Sequence, residues 1–136
     1  MVDQGVISFL SELHVGVLSI PRDGRAPHST PVWYRYESDN TIWFLADPNG
    51  QKGKLLSAGG EISFVVQSEE IPYQYVSIEG MVTDVVAGEI ESDLRPIARF
   101  YLGEKAGDEY VSQSGETTGN RYTIGINKIM SYGVEN

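Results

Sequence analysis

The sequence predicts a single mainly β domain over residues 1–136, a closed or nearly closed antiparallel barrel of six strands with short helices at its ends and crossovers. Three observations predict it. The 136 residues are the length of one domain. Short β-rich segments are separated by turn signals and not by long helical patterns, which is typical of hairpins rather than of βαβ units. Apolar residues make up 40% and charged residues 21% of the chain, as in an ordinary globular protein.

The chain opens with a helical pattern followed by a hairpin meander. Apolar residues at helical spacing over residues 4–13, with Asp3 as N-cap, predict a short amphipathic helix. Its apolar face consists of Val6, Phe9, Leu10 and Leu13. A β-rich run at 15–20, a second at 26–37 and a third at 41–46 predict three consecutive strands joined by tight turns.

The middle of the chain predicts a short helix and two more strands. The helix covers residues 51–58 and is ended by the glycine pair that begins at Gly59. Alternating apolar residues predict a strand over 61–67. A longer strand follows over 73–86, and Gly80 within it predicts a bend.

The last part of the chain predicts one helix, one loop and the sixth strand. Apolar residues at helical spacing over 89–102 predict a helix that either starts near Pro96 or is kinked there. Residues 103–120 are rich in Gly, Ser, Thr and Glu, which predicts a flexible or lid-like loop. The final strand covers 121–129.

Composition and charge exclude several classes of function. The net charge of −9 argues against nucleic acid as a partner. The absence of cysteine excludes disulfides, thiolate catalysis and cysteine-ligated metal sites, and no cluster of metal-ligating residues is apparent. Apolar runs are too short for a membrane span, and the N-terminus lacks the pattern of a secretory signal. We therefore expect a cytoplasmic protein with no membrane partner.

The basic residues are concentrated in one half of the chain. Residues 1–60 hold six acids and five bases, whereas residues 61–116 hold twelve acids and three bases. Within the first half, the predicted strand over 41–46 ends in a Pro/Asn/Gly turn that carries Lys52 and opens a helical pattern. A helix start offers free N–H groups and a partial positive charge, and the Lys52 ammonium adds to it. This turn therefore suits a phosphate or another anion.

Four segments, in this order, resemble the pyridoxamine 5′-phosphate oxidase-like split-barrel superfamily, and in particular its small flavin and deazaflavin oxidoreductases. They are residues 15–34, which end in Pro-Val-Trp-Tyr, residues 44–52 with the lysine turn, residues 75–80, and residues 99–103, Arg-Phe-Tyr-Leu-Gly. The resemblance implies a six-stranded split barrel that forms a homodimer and binds FMN or the deazaflavin F420 in a cleft between protomers.

Site residues follow from the resemblance by position. Lys52 corresponds to the lysine that binds the cofactor phosphate, with Lys54 as a second candidate. The strand alongside the cofactor ring and the turn beneath the phosphate add Ser29, Pro31, Val32, Trp33, Ala46, Asp47 and Gln51. Tyr73 and Tyr75, two apart on one strand face, and His28 are candidates for the substrate pocket.

The resemblance implies an oxidoreductase in which the cofactor carries the chemistry. Hydride would pass between the flavin or deazaflavin and a small unsaturated or aromatic organic substrate, and no residue is singled out as catalytic. The alternative is a non-catalytic dimer that carries a flavin or binds haem, with His14 or His28 as the axial ligand. Where the family often has Thr, Asn, Ser and Arg in this turn, the chain has Ala46, Asp47, Gly50 and Gln51. Asp47 and Gln51 disfavour the compact, dianionic FMN phosphate, which favours F420. The charged tail of F420 would meet Lys52, Lys54 and Arg22 or Arg25.

Overall fold

One antiparallel sheet of seven strands forms the body of the molecule in the computed structural model, which describes residues 3–135. The strands are β1 (Gly16–Ile20), β2 (His28–Val32), β3 (Arg35–Glu37), β4 (Thr41–Ala46), β5 (Glu61–Ser68), β6 (Gln74–Ala87) and β7 (Asn120–Tyr132). The helices are α1 (Gln4–Ser11), α2 (Gln51–Leu55), α3 (Arg95–Leu102), which is preceded by a π-helical turn (Ile90–Leu94), and α4 (Glu104–Gln113). The predicted mainly β antiparallel architecture with flanking helices is confirmed.

The strand order is β2-β1-β5-β6-β7-β4-β3, so the two edge strands are consecutive in the chain. Only Trp33 and Tyr34 join them. Since three residue steps span at most about 10 Å, the sheet must curl until its edges approach each other. Within residues 3–135 no ladder pairs β2 with β3, so the sheet curls without closing.

The prediction of a six-stranded barrel is therefore wrong in strand number and in closure. Residues 26–37 do not form one strand, because the backbone leaves the sheet at Tyr34. The N–H of Tyr34 donates to the phenol oxygen of Tyr101 at 3.0 Å, and its carbonyl lies 3.1 Å from the same atom. A hydrogen bond from a distant helix replaces the ladder at this point and divides the strand in two.

The main core fills the inside of the curled sheet. It contains buried apolar side chains from every strand except β3, whose partly buried Tyr36 packs against it, and α1 covers one end of it. Asp3 accepts from the N–H of Gly5 at 2.7 Å, which confirms it as the N-cap of α1. Leu13 was expected on the apolar face, but it is 56% exposed because α1 ends at Ser11.

At Gly80, where a bend was predicted, the ladder between β6 and β7 shifts register between Glu79 and Gly80. A Cβ at Gly80 would lie 2.7 Å from the carbonyl oxygen of Gly125. Because β6 and β7 approach this closely, a side chain at position 80 would force them apart.

A second, smaller core lies between the sheet and the C-terminal helices. It consists of Trp43, Leu94, Ile97, Ala98 and Val111. The loop predicted over 103–120 is wrong for most of its length, because α4 occupies that segment. Gly103, at φ +88°, lets the chain reverse between α3 and α4. No helix within residues 3–135 is long and apolar enough to cross a membrane.

Candidate functional site

A cleft of about 430 Å³ opens where the ends of β2 and β4 meet α2 and the C-terminal helices. Its lining residues are Val15, Pro31, Val32, Trp33, Leu45, Ala46, Asp47, Lys52, Leu94, Ile97, Tyr110 and Thr118. Most of these side chains are apolar, and the charged ones are Asp47 and Lys52. An apolar cleft with a few polar groups at one side is the usual form of a small-molecule site.

The turn after β4 forms the polar side of the cleft. The carbonyl of Asp47 accepts from the N–H of Gly50 at 3.0 Å, and its carboxylate accepts from the N–H of Asn49 at 2.9 Å. Helix α2 packs directly on this turn. The contact is so close that a Cβ at Gly53 would collide with the carbonyl oxygen of Asp47 and lie 2.7 Å from Cα of Pro48. Glycine at position 53 therefore fixes how closely Lys52 approaches the turn.

A second glycine brings the segment before β7 against the same turn. Gly119 has φ +76°, and a Cβ there would lie 2.5 Å from the carbonyl oxygen of Ala46. The carbonyl of Gly119 accepts from Gly88 at 2.8 Å. The two contacts of Gly119 place the adjacent Thr118 in the cleft.

Lys52 is half-buried at the edge of the cleft. Within residues 3–135, no carboxylate lies within 4.0 Å of its ammonium group. The nearby carboxylate of Asp47 bonds to its own turn instead. The positive charge of Lys52 is thus available to an anion in the cleft. Helix α2, with five residues, is too short for a large macrodipole, so the attraction rests mainly on the ammonium.

Trp33 forms the aromatic wall of the cleft. Tyr101 stacks on its indole at 5.0 Å between ring centroids and 6° between planes, and Tyr110 lies at 5.2 Å and 49°. The phenol of Tyr101 donates to the carbonyl of His14 and accepts from Tyr34. Burial raises the pKa of Tyr101 above its usual value, and its two hydrogen bonds hold the phenol ring against Trp33.

A buried ion pair holds the π-helical turn behind the cleft. Asp93 accepts from Nη1 of Arg121 at 2.9 Å and from the N–H of Glu89 at 2.9 Å. These two partners offset part of the cost of burying the Asp93 charge. It holds the adjacent Leu94 in the cleft wall.

Six of the residues predicted for the cofactor line this one cleft: Pro31, Val32, Trp33, Ala46, Asp47 and Lys52. The other three do not. The hydroxyl of Ser29 bonds to Ser19 across the β1–β2 hairpin at 2.9 Å, and Gln51 and Lys54 project to solvent from α2.

The residues predicted for the substrate pocket lie outside the cleft lining. Tyr73 is exposed, and Tyr75 stacks on Tyr132 at 5.9 Å on the outer face of the sheet. His28 begins β2, at the end of that strand away from Trp33.

The candidates for haem ligation and for the F420 tail also lie elsewhere. His14 stacks on Phe9 at 4.3 Å and bonds to Glu12 at 3.2 Å. Neither His14 nor His28 lines the cleft. Arg22 donates to the carbonyl of Ala26 at 2.8 Å within the β1–β2 hairpin, and Arg25 lies in the same hairpin. Residues 3–135 contain no group of three or more side chains that could hold a metal ion.

Sequence reasoning missed the wall contributed by the C-terminal helices. Leu94 and Ile97 were recognised as apolar helix positions but not as cleft residues. Tyr110 and Thr118 fell in the segment interpreted as a loop. A tyrosine among Gly, Glu and Ser residues carries no signal of a site, and only the packing of α4 on α3 brings it to the cleft.

Comparison with known proteins identifies the family of the chain. The family model for pyridoxamine 5′-phosphate oxidase matches residues 3–124, nearly the whole chain. The chain belongs to the pyridoxamine 5′-phosphate oxidase family. No curated protein matches it at a significant level.

Solved structures show the same fold for this member of the pyridoxamine 5′-phosphate oxidase family. An F420 reductase superposes with a TM-score of 0.69 at 21% identity, covering 95% of this chain and 98% of its own. A conserved hypothetical protein from Mycobacterium tuberculosis gives a TM-score of 0.74 at 19% identity, covering 97% and 84%. A FAD-binding protein from Mesorhizobium loti gives 0.62 at 19% identity, covering 93% and 88%.

Proposed function

We propose that this protein is an oxidoreductase that holds a flavin or deazaflavin cofactor in the cleft beside Lys52. The observation that carries the proposal is the convergence of two separate chain segments on one cleft. The end of β2 supplies an aromatic wall, and the continuous segment formed by the turn after β4 and α2 supplies an ammonium group with no carboxylate partner among the described residues. Two comparisons support the proposal. The chain belongs to a family that includes oxidoreductases, and its structural neighbours include an F420 reductase and a FAD-binding protein.

The residues present fit such a group. A cleft of about 430 Å³ lies within the usual range of about 300–1,000 Å³ for small-molecule sites. Lys52 would bind the phosphate, and the segment from Pro31 to Trp33 would lie beside the ring. Leu94 and Ile97 would exclude water from the opposite side. When bound, the cofactor supplies the hydride chemistry, and the chain supplies binding, orientation and a dry surface.

Titration of the purified protein with F420 and FMN tests the proposal. We expect F420 to bind more tightly, because its phosphodiester and glutamate tail spread the negative charge. The dianionic FMN phosphate would meet Lys52 and the carboxylate of Asp47 together. Fluorescence quenching gives both dissociation constants. Tighter binding of FMN would contradict the preference, and binding of neither would contradict the cofactor assignment. Binding without turnover of any enone or aromatic substrate would favour a carrier.

We also propose a homodimer that covers the outer face of the sheet next to the cleft. Val17, Val65, Ser77 and Met130 are cross-strand neighbours in one row of that face. The stacked pair Tyr75 and Tyr132 lies in the next row, 42% and 62% exposed. An apolar, aromatic face of this kind is typical of an interface. Val15 lines the cleft two residues before Val17, so a partner on this face would border the cleft as well.

Replacement of Tyr132 by aspartate should dissociate the dimer, because it puts a charge into the proposed apolar interface. Light scattering at about 10 µM should give twice the monomer mass for the wild type and the monomer mass for the variant. Val86→Asp is the control, since Val86 is 47% exposed at the opposite end of β6. A monomeric wild type would contradict the dimer. Equal masses for all three proteins would exclude this face as the interface.

A further inference from the structure

Helix α4 is held in place by few apolar contacts. Its sequence, Glu-Lys-Ala-Gly-Asp-Glu-Tyr-Val-Ser-Gln, contains an interior glycine, which lowers its intrinsic helix propensity. Val111 is its buried apolar side chain. Gly107 packs against α3, where a Cβ would lie 2.7 Å from Cα of Arg99. These contacts set where the two helices cross but hold α4 through a small area.

A charged cluster attaches α4 to α3 in addition. One oxygen of Asp108 accepts from Nη1 of Arg95 at 2.7 Å and from Nε of Arg99 at 2.8 Å, and the other accepts from Nη2 of Arg99 at 2.9 Å. Glu91 pairs with Arg95 at 2.9 Å from the other side. A carboxylate bound bidentately by one arginine and shared with a second is the geometry in which partly exposed pairs do contribute. The two guanidinium groups also lower the pKa of Asp108 to about 2, so it is ionised at neutral pH.

The segment that carries α4 is bounded by glycines in the left-handed region. Gly103 precedes α4 at φ +88°, and Gly115 and Gly119 follow it at φ +81° and +76°. Such positions can absorb a change of backbone direction. Between them α4 carries Tyr110, 44% exposed, to the cleft and against Trp33. Displacement of α4 about these glycines would therefore open the cleft on one side.

We propose that Asp108 is a positioning residue that latches α4 to α3, and that this latch sets how fast a ligand enters and leaves the cleft. The inference rests on the proposed function for the identity of the ligand. It concerns a residue that does not line the cleft and acts through Tyr110. Loss of the latch should release α4 without changing the residues that bind the cofactor, so association and dissociation should both accelerate while the dissociation constant changes little.

The test compares Asp108→Asn with the control Glu109→Gln, which makes the same charge change at the next position of α4. Glu109 is exposed, and its carboxylate makes no ion pair with a described residue. Hydrogen exchange of the ligand-free protein is measured first. The α4 amides should exchange at least tenfold faster in Asp108→Asn, with β6 and β7 unchanged, and at the wild-type rate in Glu109→Gln. Stopped-flow mixing with F420 and with FMN should then give association and dissociation rates raised by about fivefold or more. Asp108→Glu, which keeps the carboxylate, should restore part of the difference.

The outcomes separate the latch from the proposed function. Wild-type exchange of α4 in Asp108→Asn would overturn the latch. Faster exchange of α4 with unchanged association and dissociation rates would show that the latch does not control ligand entry. A larger dissociation constant with an unchanged association rate would assign Asp108 to ligand binding instead. If the wild type binds neither F420 nor FMN, the proposed function fails, and the exchange data still decide whether Asp108 holds α4.

Discussion

Replacement of Lys52 by alanine is expected to weaken cofactor binding about ten- to a hundredfold. Lys52 is half-buried at the cleft, and its ammonium group has no carboxylate partner among residues 3–135. A bound anion therefore does not have to displace an ion pair within the protein. A hydrogen bond to a charged group contributes about 1.5–3 kcal/mol, which is about one to two orders of magnitude in affinity. Fluorescence titration of both proteins with F420 and FMN measures the difference.

Lys54→Ala is the matched control, because Lys54 is on the same helix but projects to solvent outside the cleft. It should change affinity by less than about threefold, since an exposed charge at this distance is well screened. The effect of Lys52→Ala should shrink at high salt, where the wild-type contact is weakened. Without cofactor, the melting temperatures of both lysine variants should stay close to that of the wild type, because surface substitutions usually change stability by less than about 0.5 kcal/mol. Equal affinity of Lys52→Ala and wild type for both cofactors would remove Lys52 from the site.

The part of the site that could be predicted from the sequence is local. The strand Thr41–Ala46, the Pro/Asn/Gly turn and the helix carrying Lys52 lie within fifteen consecutive residues, and they are determined mainly by β-propensity and turn chemistry within that segment. The structure has β4 at Thr41–Ala46 and α2 at Gln51–Leu55. The segment from Pro31 to Trp33 reached the site through a family resemblance, and the structure places it in the same cleft.

The missing parts depend on contacts between distant residues. The strand break at Tyr34 results from a phenol 67 positions away, and no pattern within residues 26–37 indicates it. Helix α4 is stabilised by an arginine cluster on α3 and by one buried valine. Because these contacts take the place of a broad apolar face, the residues of α4 show no helical apolar period. Tyr73 and Tyr75 were predicted for one face of a strand at the substrate pocket, but Tyr73 precedes β6 and Tyr75 stacks on Tyr132. The tyrosine that lines the cleft is Tyr110. An aromatic residue on a strand does not reveal which face of the curled sheet it occupies.

Replacement of Gly53 by alanine is expected to destabilise the fold and to disrupt the Lys52 site together. The added Cβ would collide with the carbonyl oxygen of Asp47 and lie 2.7 Å from Cα of Pro48. Both are backbone atoms, so relief requires α2 to move away from the turn. Overpacking of this kind costs about 1–3 kcal/mol, which exceeds the gain of about 0.5–1 kcal/mol from alanine in place of glycine within a helix. Urea unfolding should show a lower free energy of unfolding, and cofactor affinity should fall at least as far as in Lys52→Ala.

Gly50→Ala is the control at the same turn. Gly50 has φ −77°, which any residue adopts, and the nearest atoms to a Cβ there would be the Asp47 carbonyl oxygen at 3.3 Å and its Cβ at 3.6 Å. A small movement accommodates that methyl group, so the cost should stay below about 1 kcal/mol and affinity should change little. The comparison separates a general intolerance of the turn from the specific contact at Gly53, because both variants add one methyl group three residues apart. Urea midpoints for Gly53→Ala and Gly50→Ala that both equal the wild-type midpoint would show that α2 does not pack on the turn after β4, and that Lys52 is not held at the edge of the cleft.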